Sequence, residues 1–116
     1  MYLSIQKKGD IRVVMQIKYR NYNNVLYVML DGELDEHTAK FASKKLDEIF
    51  MSTISKQIII DLSELKFMDS TGIGVLIGRY KKMKDKGISI FITNPSYHAE
   101  KIFKLTGLYE IMPKIS

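Results

Sequence analysis

The sequence predicts an α/β domain with a mixed β-sheet, and three observations carry that prediction. Short β-branched runs alternate with segments of helical period. Two β-prone stretches flank an asparagine-rich turn at the front of the chain. No internal repeat, low-complexity run or Pro/Ser-rich linker marks a boundary, and 116 residues are close to the usual size of one domain.

Residues 15–20 and 25–30 read as strands around Asn21, Tyr22, Asn23 and Asn24. Asparagine tolerates the left-handed conformation, so the cluster predicts the turn of an opening hairpin. Residues 25–30 are nearly all apolar, which predicts a strand covered on both faces. The period then changes. Ala39, Ala42, Leu46, Ile49 and Phe50 fall on one stripe of an amphipathic helix. Asp35, Glu36, His37 and Thr38 supply polar caps and negative charge at its start.

Residues 57–61 form a short β-branched strand ending in Asp61, and residues 62–69 read as a loop. A second helix carries Ile73, Leu76, Ile77, Tyr80 and Met83 and stops near Gly87; a strand over 88–92 follows. Asn94 as N-cap and Pro95 at the first helical position predict a third helix with Ala99, Ile102, Phe103 and Leu105 as its apolar residues. Gly107 suits a left-handed stop, with Leu108 packing back on Phe103. Residues 109–112 read as a final short strand or turn. Right-handed crossovers gather the carboxyl ends of parallel strands at one edge, where α/β sheets meet their ligands. Residues 32–35 and 66–74 are the loops of that edge.

Composition narrows the function. There is no cysteine, which excludes a disulfide scaffold, a thiolate metal site and a cysteine nucleophile. His37 and His98 lie far apart and do not form a metal site alone. No apolar run reaches the ~18–20 residues of a membrane span, and no signal-peptide core opens the chain, so a cytoplasmic domain is expected. The net charge of +5 permits attraction to nucleic acid or an acidic protein. The lysines over 81–86 lack an aromatic or Arg-rich recognition pattern, however, and suit a solvated helix end. No direct nucleic-acid contact is expected.

The chemical signals are mostly negative. Gly72, Gly74 and Gly78 match neither dinucleotide nor P-loop spacing, and predict instead a helix lying close on the sheet. Asp61 ends a strand as a receiver-domain phosphoacceptor does, but without the acidic pair or late lysine such a site needs; it reads as a cap or turn residue. Ser70 has no nucleophile elbow. Glu33, Asp35 and Asp69 converge on one edge with no cleft motif to give them a substrate. The segment Asp69-Ser70-Thr71 at a helix start admits two readings. Asp69 or Ser70 caps the helix, or Ser70 is presented to a protein kinase, since a helix N-terminus accommodates phosphate as well as a cap oxygen.

Gly32-Glu33-Leu34-Asp35 before a helix, together with Phe67-Met68-Asp69-Ser70-Thr71-Gly72-Ile73-Gly74 downstream, resembles the STAS domain. Within that family the chain is similar to bacterial anti-sigma factor antagonists of the sporulation type, which act on the anti-sigma F factor. The resemblance runs from Met15 to Met112 and includes Gly78-Arg79-Tyr80-Lys81 and Leu105-Thr106-Gly107-Leu108. It implies a single STAS domain over 15–116, a mixed sheet and helices largely on one face. Residues 1–14 stand ahead of it as an N-terminal extension or mobile arm.

It also implies a regulatory binding protein, monomeric when free, with no cofactor and no catalysis of its own. The unphosphorylated form binds an anti-sigma factor that is also a serine kinase. Phosphorylation on Ser70 ends binding, and a serine phosphatase resets the switch. Thr71 stands where relatives commonly carry serine and is a secondary acceptor, stiffer for its β-branch. Asp35, Thr38, Asp69, Ser70, Thr71 and Gly72 form the expected partner surface. The rival readings are an antagonist of another partner-switching pathway, such as general stress response or biofilm control, and a small nucleotide-binding enzyme of STAS fold.

Overall fold

Asn23 and Asn24 take φ of 50° and 61°, the left-handed pair that a two-residue type I′ hairpin turn requires. The strands they join are β2 (Asp10–Tyr22) and β3 (Val25–Leu34), antiparallel with Tyr22 opposite Val25. This computed structural model describes residues 2–7 and 10–115, with side chains from Val14 onward. The other elements are β1 (Tyr2–Lys7), α1 (Ala39–Ser52), β4 (Gln57–Asp61), β5 (Leu65–Met68), α2 (Ser70–Asp85), β6 (Ser89–Thr93), α3 (Tyr97–Thr106) and a 3-10 turn over Leu108–Glu110. Among the described residues six strands form one mixed sheet, ordered β1-β2-β3-β4-β6, with β5 pairing the far end of β3. β3 with β4, and β4 with β6, run parallel.

Burial alternates along β3: Leu26, Val28 and Leu30 are buried, whereas Val25, Tyr27 and Met29 are only half-buried. The buried set packs with Ile58, Ile60, Ile90 and Ile92 and with Leu46, Phe50, Leu76 and Phe103 of the helices. The core therefore lies on one face of the sheet, and the expected two-sided cover of residues 25–30 is corrected. Their run of apolar residues includes three on a face that no helix covers.

Other expectations shift as well. The first hairpin strand, β2, begins at Asp10 rather than Met15, and β1 precedes and pairs with it, so the backbone of residues 2–7 and 10–14 is extended and strand-paired. The remaining residues of that segment, Met1, Lys8 and Gly9, lie outside the described residues. The loop over 62–69 contains β5, and the last sheet strand runs Ser89–Thr93. Asn94 does not cap α3; it turns the chain with φ 47°. Ser96 is the cap, its hydroxyl accepting from the Ala99 amide at 3.1 Å and donating to the Leu65 carbonyl at 2.6 Å. Leu105 faces solvent at 78% exposure, while Gly107 takes the expected left-handed stop. After the 3-10 turn, Lys114 bridges to Ile92 at the sheet edge.

Of the helix glycines, only Gly72 allows close approach. A Cβ there would strike the Leu34 carbonyl oxygen, with the Leu34 carbonyl carbon and Met68 Cγ each at 2.9 Å; at Gly74 and Gly78 it would meet nothing within 4 Å. Opposite signs follow for one chemical change. Gly72→Ala is expected to cost about 1–3 kcal/mol by overpacking. Gly74→Ala is expected to stabilise by up to about 1 kcal/mol through helix propensity. Urea-unfolding midpoints of the two variants check the pair.

Candidate functional site

The site is built where β3 ends. Gly32 takes φ +112°, and a Cβ there would run into the Val14 backbone, so only glycine fits the bend. The register with β5 shifts after Gly32, and Leu34 then pairs with Met68. This brings the start of α2 against the loop that opens α1. The Asp69 amide donates to the Leu34 carbonyl at 3.4 Å.

Asp69 is the extended N-cap of α2. Its Oδ1 accepts from the Gly72 amide at 2.9 Å and its Oδ2 from the Glu36 amide at 3.2 Å. One carboxylate thus closes the first turn of α2 and holds the α1 loop. The Gly72 amide first, with weaker help from the Glu36 amide and against some desolvation, keeps the Asp69 carboxyl below its ordinary value of 3.8.

The α1 loop closes on itself. Asp35 Oδ1 accepts from the amides of His37 at 2.9 Å and Thr38 at 3.2 Å, leaving the Asp35 side chain 14% exposed. The Thr38 hydroxyl donates to the Glu33 carbonyl at 2.8 Å and accepts from the Asp35 amide at 3.0 Å. Thr38 is 1% exposed, so its side chain offers a partner no contact and serves to shape the loop. Gly72, also buried, does the same by its lack of a side chain.

Ser70 and Thr71 are exposed on the first turn of α2. The Ser70 hydroxyl has no hydrogen-bond partner among the described residues. A second tie joins the helices: Asp47 of α1 faces Arg79 Nε and Lys82 Nζ of α2, both at 3.1 Å. The Arg79 contact is an ion pair without hydrogen-bond alignment. Asp61, as expected, is a turn residue, accepting from the Ser63 amide at 2.8 Å. Among the described residues no three His, Asp or Glu side chains are grouped to hold a metal, and no helix is long and apolar enough to cross a membrane.

The structure thus joins Asp69, Ser70, Thr71 and Gly72 to Asp35 and Thr38 through the Glu36 amide. Sequence reasoning missed His98. Its Nε2 accepts from the Met68 amide at 3.3 Å and its ring stacks on Phe67 at 5.6 Å, bracing β5 just before Asp69. Its position on the first turn of α3 was legible, but nothing in the sequence links it to Met68.

The chain matches the STAS domain family model over residues 16–116. The chain belongs to the STAS domain family. It is 38% identical over 101 residues to the anti-sigma F factor antagonist of Paenibacillus polymyxa, covering 85% of each chain. Two solved structures of the anti-sigma factor antagonist SpoIIAA are each 26% identical. The unphosphorylated form aligns with TM-score 0.70 over 88% of both chains. The phosphorylated form, described as a Bacillus cell fate determinant, aligns with TM-score 0.64 over 88% of this chain and 91% of its own.

Two substitutions test this geometry. Asp69→Asn can still cap Gly72 but carries no titrating carboxylate. A carboxyl whose folded pKa is depressed stabilises fully above its unfolded value of 3.8, and that contribution disappears as pH falls through the folded pKa. The Tm gap between wild type and Asp69→Asn is therefore expected to be widest near neutral pH and to shrink below 3.8, read by melts from neutral to about pH 2. Thr38→Val removes a buried hydroxyl that serves the Glu33 carbonyl and the Asp35 amide. A loss of about 1–3 kcal/mol is expected by urea unfolding.

Proposed function

We propose that this chain is an anti-sigma factor antagonist worked by partner switching. Unphosphorylated, it binds an anti-sigma factor that is also a serine kinase, and so frees the sigma factor. Phosphorylation of Ser70 ends that binding, and a serine phosphatase restores it. The chain acts by binding rather than catalysis, as a monomer when free, in the cytoplasm, with the switch lying in residues 15–116. The observation that carries the reading is the exposed, unpartnered Ser70 hydroxyl at the head of α2, on an edge held by the Asp69 carboxylate.

The chemistry of that edge explains how one phosphate acts. It adds about −1.5 to −2 charge at pH 7. At the N-terminus of α2 this charge suits the helix dipole by roughly 0.3–2 kcal/mol, so the fold persists. Towards a partner the effect is reversed. Asp69 caps the same helix start, and Asp35 and Glu36 stand on the loop it holds, so carboxylates already lie at this edge. A dianion added to them, facing nucleotide phosphates in the kinase, loses its desolvated contact. Ser70, Thr71 and the outer edges of Asp35 and Asp69 make the contact, over a loop shaped from within by Thr38 and Gly72.

Incubation with the host's anti-sigma factor and ATP is expected to place one phosphate on Ser70, read by mass spectrometry. Ser70→Ala should bind the anti-sigma factor and never be switched off. Ser70→Asp should melt as wild type does yet bind more than a hundredfold more weakly, a loss of about 3 kcal/mol. Phosphate appearing only on Thr71 or Ser63, or wild-type binding by Ser70→Asp, contradicts the proposal.

A further inference from the structure

The sheet face turned away from α1 and α2 carries a concavity of about 550 Å³, within the ~300–1,000 Å³ usual for small-molecule sites. Its floor is the bare side of the central strands. Tyr27 and Met29 of β3 lie beside Ile59 and Asp61 of β4 and opposite Arg20 and Lys18 of β2. One end is closed by Ile115, whose amide donates to the Ile92 carbonyl at 2.9 Å. The hollow reaches the carboxyl ends of β4 and β6, where α/β sheets take their ligands.

Its polar groups are unevenly matched. Lys18 and Arg20 are two residues apart on one strand and so project from the same face. Neither has a carboxylate partner among the described residues. The Arg20 guanidinium is held instead over the rings of Tyr27 at 5.7 Å and Tyr22 at 6.0 Å. Among the described lining residues Asp61 is the one carboxylate, and its Oδ1 already accepts from the Ser63 amide. Among the described residues, two cations against one anion leave a single positive charge above an apolar floor.

We propose that this concavity binds an amphiphilic anion: an apolar body with one acidic head group. The head lies between Lys18 and Arg20, and the body covers Tyr27, Met29 and Ile59. The site is on the opposite side of the sheet from the core that α2 covers, and so is separate from the proposed switch at Ser70.

The full chain is titrated with 8-anilinonaphthalene-1-sulfonate, an aromatic anion, and with dodecanoate, an aliphatic one; the uncharged N-phenyl-1-naphthylamine is the control. Saturation by either anion at one per chain supports the site, and the anion that binds identifies the body it accepts. Lys18→Ala with Arg20→Ala is expected to weaken anion binding at least tenfold while the control binds as before and the Tm holds. Asp61→Asn, which keeps the turn acceptor but loses the opposing charge, is expected to tighten it. Anion affinity indifferent to these changes, or failure of both anions to bind, overturns the proposal. So does binding that declines as the chain is concentrated and its sedimenting mass rises, since a second copy would then occupy the face.

Discussion

The Asp69 carboxylate accepts from the Gly72 amide with one oxygen and from the Glu36 amide with the other, and the Ser70 edge depends on that pair of bonds. Helix N-termini leave amides without partners. Here a single side chain serves one such amide in its own helix and a second in the loop before another. The close approach this needs is possible because residue 72 has no side chain to strike the Leu34 carbonyl. Further along, Asp47 receives Arg79 and Lys82, so α1 and α2 are tied at two levels. The hydroxyl between the two helix starts is exposed, but the backbone that carries it is fixed.

A fixed edge suits regulation by charge. If the loop over 35–38 were loosely held, a phosphate on Ser70 could be absorbed by rearrangement, and its effect on a partner would be diluted. Asp35, Thr38 and Asp69 leave little room for that, because Asp35 Oδ1, the Thr38 hydroxyl and both Asp69 oxygens are already engaged with backbone. Under the proposed switch, charge added at Ser70 would then be felt mainly across the interface. In the proposed switch, the favourable interaction of phosphate with the helix N-terminus would act in the same direction, holding the modified side chain where a partner would meet it.

Much of this architecture was legible because it rests on local rules. Paired asparagines made the hairpin readable, the apolar stripe of Ala42, Leu46 and Ile49 made α1 readable, and Asp69 before Ser70 announced a helix start. What was not legible depends on distant partners. The four residues of β5 form a strand only because β3 bends at Gly32 and presents its end to them. Asn94 has the chemistry of a cap, yet the Leu65 carbonyl engages the Ser96 hydroxyl and the cap moves with it. Thr38 sits among polar residues and reads as surface, but the Glu33 carbonyl draws it inside. The apolar run of β3 concealed an open sheet face, since hydrophobicity alone does not say whether a helix covers it.

The measurement that tests the account most directly is amide hydrogen exchange on the chain before and after phosphorylation of Ser70, paired with its affinity for the anti-sigma factor. If the edge is rigid and the switch is electrostatic, the Glu36 and Gly72 amides keep their protection in the phosphorylated protein while affinity for the anti-sigma factor collapses. Faster exchange at both amides on phosphorylation, with the α1 loop released from Asp69, would show a switch that works by opening the edge and would contradict the account.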